Sequence, residues 1–378
     1  MKIAFVCHEA ALTGAPKLGF EIARYLSDTS EVIMIVKKEG ILLTVPEYKA
    51  AFSKMLSVNT SHEVSRYSFP ERVSIARQIL QDEKPDLLYV NSVASSDWCQ
   101  AGWLCKIPVI LHSHEMRNEL LSLQSVDIFK RDLPKYVDLL ITVSPDAEID
   151  ITELCSRPFK KVLSSVPGIN FNAIKQLSDE KDFIAPENIL CQPMAGNKIV
   201  ISMCGTASKR KGSDIFFQTA KRLPQFNFLW IGPWNKKEAP GNIILDDYEK
   251  SRLTNFYVTH ETSNPYPYFR LSDIFVLTSR EDPNPLVVME ALFLAKVCIG
   301  FSGTGGSKDL LNRFGILLHG EITVKQLISI IERITPPFTG FLTKEKKELF
   351  MKECDLALIA EKIRKEISVI VKHPVISI

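Results

Sequence analysis

Short runs of apolar residues alternate with longer stretches of helical periodicity along most of this chain. In the first half, apolar runs predict strands over 2–7, 31–36, 86–91, 108–112 and 138–143, with helices such as 15–27 and 71–83 between them. In the second half, strands are predicted over 198–204, 226–232, 255–258, 273–277 and 297–301, and helices over 212–223 and 285–295. Strands that are apolar almost throughout are buried on both faces, which is the habit of parallel sheets covered by helices. The alternation runs twice. It predicts an α/β protein of two Rossmann-like, doubly wound domains facing a central cleft, where ligands bind outside the carboxyl ends of the strands. Beyond about residue 320 the pattern becomes helical, and 344–352 and 356–371 are amphipathic.

Between the two series, 178–197 holds Asp-Glu-Lys-Asp, Ala-Pro-Glu-Asn and Pro-Met-Ala-Gly-Asn. Breakers and charges without periodicity mark a linker. The expected domains are therefore 1–185 and 186–378, the second carrying the terminal helices. The length of 378 residues agrees with two domains, because single cores stop growing near ~250–300 residues.

Composition narrows the function. Hydrophobic residues make up 46% and charged residues 24%, an ordinary globular balance. The formal charge of +2 offers no basic stripe for a dedicated nucleic-acid binder, so no nucleic-acid partner is expected. The first apolar run lasts only from Ile3 to Cys7 before His8 and Glu9, too short for a signal peptide. No stretch approaches the ~18 apolar residues that a membrane span needs. The eight cysteines form no Cys-x-x-Cys pair, which fits reduced thiols in the cytoplasm.

Four places could carry chemistry. Thr13-Gly14-Ala15 follows the first strand and precedes a helix, so a phosphate could approach the amides of a helix N-terminus there; a plain strand–helix turn is the alternative. Cys204-Gly205-Thr206-Ala207-Ser208-Lys209-Arg210-Lys211-Gly212-Ser213 places a three-cation cluster at the head of a helix. That arrangement suits a diphosphate, and three solvated cations are the bland reading. It lacks the spacing of an NTP-hydrolysing phosphate loop.

The stretch from Asp273 to Leu292 runs from a buried strand into the loop Ser279-Arg280-Glu281-Asp282-Pro283-Asn284 and then into a helix opened by Pro285 and Leu286. Seven residues separate Asp282 from Glu290. Glu290 lies in the apolar run of the helix, where a carboxylate needs partners such as sugar hydroxyls. Otherwise the pair is a loop acid and a solvated helix acid. In Leu111-His112-Ser113-His114-Glu115, the two histidines fall on one face of an extended chain. They could begin a metal site, although a structural pair is commoner.

The 279–291 segment resembles the signature of family 4 retaining glycosyltransferases of the GT-B fold, of bacterial surface-polysaccharide type. That signature is Glu, seven residues, Glu, embedded in a segment much like Ser-Arg-Glu-Asp-Pro-x-Pro-Leu-Val-Val-x-Glu-Ala. The resemblance extends over nearly the whole chain, through Ile141-Thr142-Val143-Ser144, Pro167-Gly168-Ile169-Asn170, Lys211-Gly212 and Gly305-Gly306. It implies that Glu290 holds the ribose hydroxyls and Lys211 the donor diphosphate. Asp282 contacts the donor sugar where the family has Glu, with Glu281 adjacent as a substitute. Thr206 stands where the family has an arginine, and Arg210 could supply that cation. The resemblance also carries Gly14, Gly205, Pro285 and Leu286 to the donor, turns His114 towards the donor sugar, and matches Asp309 to a family glutamate.

The activity so implied is transfer of a hexose from a nucleoside-diphosphate sugar to an acceptor hydroxyl with retention, with no metal and no cofactor. The acceptor would be a saccharide or lipid-linked saccharide, read by the first domain. The amphipathic stretch 115–135, with Lys130, Arg131 and Lys135, is a candidate for peripheral contact with the inner face of a membrane, against the simpler reading of a solvated helix. Two other classes stay open: a catalytically reduced nucleotide-sugar-binding partner, suggested by Thr206, Asp282 and Asp309, and a metal-dependent hydrolase built on His112 and His114.

Overall fold

The protein is described from a computed structural model covering residues 1–61, 67–164, 167–180, 183–187, 193, 194, 196, 198–234, 253–259, 261–334, 336, 338 and 342–372. The chain divides into two compact units, Met1–Gly168 with Cys354–Ile378, and Ile169–Glu353.

The first unit contains β1 (Lys2–Cys7), α1 (Gly14–Ser27), β2 (Glu31–Val36), α2 (Pro46–Ala51), β3 (Lys54–Ser57), α3 (Phe69–Glu83), β4 (Leu87–Asn91), α4 (Ser96–Leu104), β5 (Val109–Ser113), α5 (Arg117–Ser125), β6 (Leu139–Thr142), α6 (Pro145–Leu154) and β7 (Val162–Ser164). Its seven strands are parallel, in the order β3-β2-β1-β4-β5-β6-β7. Ile3 to Cys7 and Leu87 to Val90 are fully buried, as expected for central strands covered on both faces. The helices start where their sequences say they should. Ser68 and Glu71 form a capping box ahead of α3, and Ser144 accepts the Ala147 amide at the head of α6.

The second unit contains α7 (Phe171–Ser178), β8 (Val200–Cys204), α8 (Ser213–Arg222), β9 (Asn227–Ile231), β10 (Phe256–Val258), α9 (Tyr266–Leu271), β11 (Ile274–Val276), α10 (Leu286–Phe293), β12 (Val297–Phe301), α11 (Lys308–Phe314), β13 (Ile316–Leu318) and α12 (Val324–Ile331). The parallel order is β10-β9-β8-β11-β12-β13. In each sheet the order reverses beside the first strand, between β1 and β4 and again between β8 and β11. The two doubly wound sheets follow the expected alternation. The expectation lacked β3, β7 and β13, short strands at sheet edges with half-exposed side chains.

The division differs from the expected boundary at 185/186, and packing supplies the reason. Helix α7 belongs to the second unit: Phe171 lies 4.8 Å from Phe293, ring to ring, and Asn264 and Arg270 donate to the Leu177 and Ser178 carbonyls. The second unit ends at Glu353 within helix α13 (Lys344–Cys354), and α14 (Leu356–Lys372) returns to the first, where it packs on α1 and Glu366 pairs with Lys161. Gly168 in Pro-Gly-Ile-Asn allows this return, because a Cβ there would come within 2.5 Å of the Leu356 Cα. The 178–197 stretch falls partly outside the described residues.

Among the described residues no helix is long and apolar enough to cross a membrane. The seven described cysteines are free, and Cys191 lies outside the described residues.

Candidate functional site

In the second unit the chemistry-bearing residues gather at the carboxyl ends of β8 and β11, where the strand order reverses and open α/β sheets bind ligands. β8 is followed by Gly205, whose φ of +144° suits glycine. The stem of Lys211 lies alongside it, its Cε at an ordinary contact distance of 3.5 Å from the position a Cβ would take. The turn into α8 is made by Gly212 at φ +68°, pressed so closely on β11's extension that a Cβ would sit 1.9 Å from the Thr278 carbonyl oxygen. Glycine is obligatory there both for conformation and for space.

The Lys211 ammonium donates to Asp282 Oδ2 at 2.5 Å, and Ser279 Oγ donates to the same oxygen at 3.1 Å. The lysine and aspartate side chains are only 16% and 5% exposed, so this ion pair is largely withdrawn from water. The backbone of Asp282 is held on both sides, its amide on the Thr304 carbonyl at 2.9 Å and its carbonyl by the Gly306 amide at 3.0 Å. Gly305-Gly306 therefore supports the acidic loop. Asp309 takes a different place, exposed in the first turn of α11 and paired with Arg313.

Two loops are joined into one rim. Arg280 makes a bidentate pair with Asp214 in the first turn of α8, at 2.8 and 2.7 Å, and also donates to the Lys209 carbonyl. Its own amide meets the Arg210 carbonyl, while Arg210 Nη1 donates to the Glu281 carbonyl at 3.0 Å. Arg210 thus clasps the backbone of the acidic loop. The Arg280 guanidinium contributes to holding the Asp214 carboxyl below its usual range, against the opposing effect of burial.

Glu290 lies one turn into α10, is 4% exposed, and accepts from the hydroxyl of the equally buried Tyr266 at 3.0 Å. Its partners are thus reached through α9. Pro285 immediately precedes α10 rather than lying in its first turn, and Leu286 opens the helix. A proline there costs no hydrogen bond, because the first helical amides have no intrahelical acceptor.

The first unit uses the same position in its own sheet differently. After β5, Glu115 is buried and accepts four hydrogen bonds: from Ser92 Oγ at 2.5 Å, the Val93 amide at 3.1 Å, Ser113 Oγ at 3.0 Å and the His114 amide at 2.8 Å. It ties the end of β4, where Ser92 has φ +93°, to the end of β5. His114 Nε2 meets Asn91 Oδ1 at 2.8 Å, and Asn91 Nδ2 donates to the Ala15 carbonyl in the first turn of α1. An amide oxygen only accepts, so a neutral His114 carries its proton on Nε2 and keeps Nδ1 as an acceptor. Burial, reinforced by His112 and His8, pushes the His114 pKa well below its usual value, and burial lowers that of His112 to about 3.

The two imidazoles do share a face, with ring centres 4.3 Å apart, but His112 Nδ1 is bonded to the Tyr89 hydroxyl at 2.9 Å. Among the described residues no cluster of three His, Cys, Asp or Glu could hold a metal. Gly14 opens α1 with nothing within 4 Å of the position its Cβ would take. The fold does not require a glycine there, and its absence of a side chain leaves the helix terminus approachable. The cations of 115–135 are engaged within the protein: Lys130 pairs with Asp127 and lies over Phe69, Arg131 donates to the Leu154 carbonyl, and Lys135 lies over Trp103.

Sequence reasoning missed Ser279, Tyr266, Asn91 and Ser92, the direct partners of Asp282, Glu290, His114 and Glu115. The signal available for them was weak: a polar residue directly after a buried strand, as at Asn91-Ser92 and Thr278-Ser279.

The class these features define is the GT-B fold, two parallel Rossmann-like α/β units in one chain. Comparison with known proteins agrees and adds detail. Residues 192–336 match the family model of glycosyl transferases group 1. An Escherichia coli UDP-Gal:alpha-D-GlcNAc-diphosphoundecaprenol alpha-1,3-galactosyltransferase is 23% identical over 351 residues, covering 89% of this chain and 88% of that one. An alpha-galactosylglucosyldiacylglycerol synthase of Streptococcus pneumoniae is 26% identical over 103 residues, a match spanning 26% of this chain and 27% of the synthase. Among solved structures, Anabaena HepE in complex with UDP-glucose superposes with a TM-score of 0.77 at 17% identity, covering 98% of this chain and all of the other. A glycosyltransferase from Rickettsia africae gives 0.74 at 16% identity, covering 98% and 99%. In sequence and in fold, the proteins this chain is similar to are glycosyltransferases.

Proposed function

We propose that the protein is a retaining glycosyltransferase that moves a hexose from a nucleoside-diphosphate sugar to a hydroxyl of a saccharide or lipid-linked saccharide acceptor. The observation that carries this reading is the Lys211–Asp282–Ser279 cluster against Gly205 at the reversal point of the second sheet, within the region matched by the group 1 model. An ammonium beside the N-terminus of α8 is suited to the charge that develops on a leaving diphosphate. In the transfer, the bond from the anomeric carbon to the diphosphate oxygen breaks and a bond to the acceptor oxygen forms on the same face. The acceptor's proton passes to the departing diphosphate. Glu290, held by Tyr266, is assigned to the ribose hydroxyls, and neutral His114 to a sugar hydroxyl through its free acceptor nitrogen. Gly14, Gly205, Arg210, Glu281, Pro285 and Leu286 complete the donor-side set. The reaction is proposed to need no metal and no cofactor.

The E. coli relative's diphosphoundecaprenol-linked acceptor supports a surface-glycan role, with acceptor choice assigned to the first unit and work at the cytoplasmic face of a membrane. The alternative, a catalytically reduced nucleotide-sugar-binding partner suggested by Thr206, Asp282 and Asp309, predicts donor binding without transfer to any acceptor. The hydrolase reading finds no third ligand beside His112 and His114 among the described residues.

The test is a thermal-shift screen with UDP-, GDP- and ADP-sugars, followed by transfer with the donor that binds. A bound donor raises the apparent melting temperature. Proton NMR of the product should show an anomeric linkage of the donor's configuration. An inverted linkage would remove retention, and no shift with any nucleotide sugar would remove the donor-site reading.

A further inference from the structure

Resting on that donor-site reading, we infer that Asp282 acts mainly on Lys211: it competes with the diphosphate for one ammonium, and so distinguishes the intact donor from the spent nucleotide. The geometry makes the competition unequal in a useful way. Asp282 cannot follow a moving partner, because its amide and carbonyl are fixed to Thr304 and Gly306. Lys211 can move, because its charge sits at the end of a four-carbon stem lying against the bare face of Gly205.

A diphosphate that draws the ammonium away leaves a carboxylate that is 4% exposed. Of its described side-chain hydrogen bonds, only that from Ser279 at 3.1 Å would remain. An uncompensated buried charge is expensive. A nucleotide sugar brings hydroxyl donors that can satisfy the carboxylate while the lysine serves the diphosphate. A nucleoside diphosphate lacks the sugar, and its ribose hydroxyls are assigned to Glu290, so it brings none to this carboxylate. The same exchange would therefore favour binding of the donor and, after the sugar has left, return of the lysine to Asp282 and expulsion of the product. No covalent step is added; only the partner of the Lys211 ammonium changes.

The experiment is calorimetric binding of UDP, UDP-glucose, GDP and GDP-mannose, without acceptor, to wild type, Asp282→Asn, Lys211→Ala and the double variant. Wild type should bind a nucleotide sugar more tightly than the matching diphosphate. Asp282→Asn should tighten the diphosphate by about tenfold, the factor that ~1.4 kcal/mol of relieved competition gives, and narrow its gap to the nucleotide sugar. In the Lys211→Ala background the same substitution should change nothing. Unchanged or weaker diphosphate binding in Asp282→Asn would overturn the inference, as would a gain that survives loss of the lysine. Asp282→Ser, which also removes the charge, should repeat the gain if the asparagine variant is poorly folded. Should none of the four ligands bind wild type, the donor-site reading itself fails, an outcome distinct from binding without the asparagine effect.

Discussion

The two units place polar residues at the same point of the same topology, yet the electrostatic character of the two places is opposite. At the β1/β4 reversal and the end of β5, His112 is bonded to Tyr89 and His114 to Asn91, while Ser92, Ser113 and the Val93 and His114 amides all donate to the single carboxylate of Glu115. At the β8/β11 reversal the groups are charged and joined by ion pairs, Lys211 with Asp282 and Arg280 with Asp214. The first arrangement fixes shape and presents neutral acceptors. The second keeps an ammonium whose partner can be exchanged. The contrast teaches that a doubly wound sheet supplies the location, while the loops after its strands decide whether that location reads hydroxyls or holds an anion.

The first unit does have a strong ion pair, but away from its sheet reversal. Lys37 and Asp97 are buried at 0% exposure, with Nζ to Oδ1 at 2.7 Å and a further bond from Nζ to the Ala94 carbonyl. Burial lowers the lysine's pKa despite the carboxylate beside it. Asp97→Ala strands that ammonium and should cost about 3–5 kcal/mol. Hydrogen exchange should show the loss in β4 and β5 and leave β8 and β11 protected. Equal deprotection of both sheets would break the distinction between a unit stabilised by its buried pair and one that uses a pair for chemistry.

Lys211→Ala sharpens the comparison from the other side. Transfer should fall by on the order of 10²–10³-fold, the usual cost of one electrostatic stabiliser, while far-ultraviolet circular dichroism stays unchanged. Glu290→Ala should abolish transfer, through loss of donor affinity measured by calorimetry. Turnover like that of wild type in either variant would remove the donor site from the second unit.

Acid should affect the first unit first. The folded pKa of His112 is about 3, below the unfolded value of ~6.5, because burial disfavours the imidazolium. Between those values the unfolded chain binds a proton that the native state refuses, so stability falls as the pH is lowered through this window. The slope for this group is about 1.4 kcal/mol per pH unit between ~6.5 and 3; the stability it reports is fully present above ~6.5 and lost towards 3. Urea unfolding at pH 7 and 5, with His112→Gln as reference, measures it. A variant that keeps the full wild-type slope would move the acid sensitivity elsewhere.

The smallest effect is expected at Arg280→Lys. The pair with Asp214 is about a third exposed on each side, so its loss should cost about 0.5–1 kcal/mol after solvent screening. Nucleoside-diphosphate affinity should nevertheless weaken measurably, because the Lys211 loop loses its tie through the Lys209 carbonyl. No change in affinity would show that the loop holds its shape without that tie.

Much of this was legible in the amino-acid order. The central strands showed themselves because burial on both faces demands uninterrupted apolar residues, as in Ile3 to Cys7. Edge strands did not: Lys54–Ser57 is half solvated, so it lacks such a run, and only hydrogen bonds to β2 make it a strand. The family signature likewise placed Asp282 and Glu290 on a loop and a helix. It could not show that Asp282 meets Lys211, 71 positions away, while Glu290 meets Tyr266, 24 away.

The sequence by itself determined two parallel α/β series, the glycine turns at 205 and 212, and a local cation cluster within a net charge of only +2. Each of these follows from local rules of periodicity, backbone conformation and spacing. Only the tertiary structure decided that α14 returns to the first unit, that Glu115 anchors the ends of both β4 and β5, and that Lys211 is already occupied by a carboxylate. Those outcomes depend on contacts between residues far apart in the chain, and nothing in the pattern along the chain encodes which distant partner a buried polar group will meet.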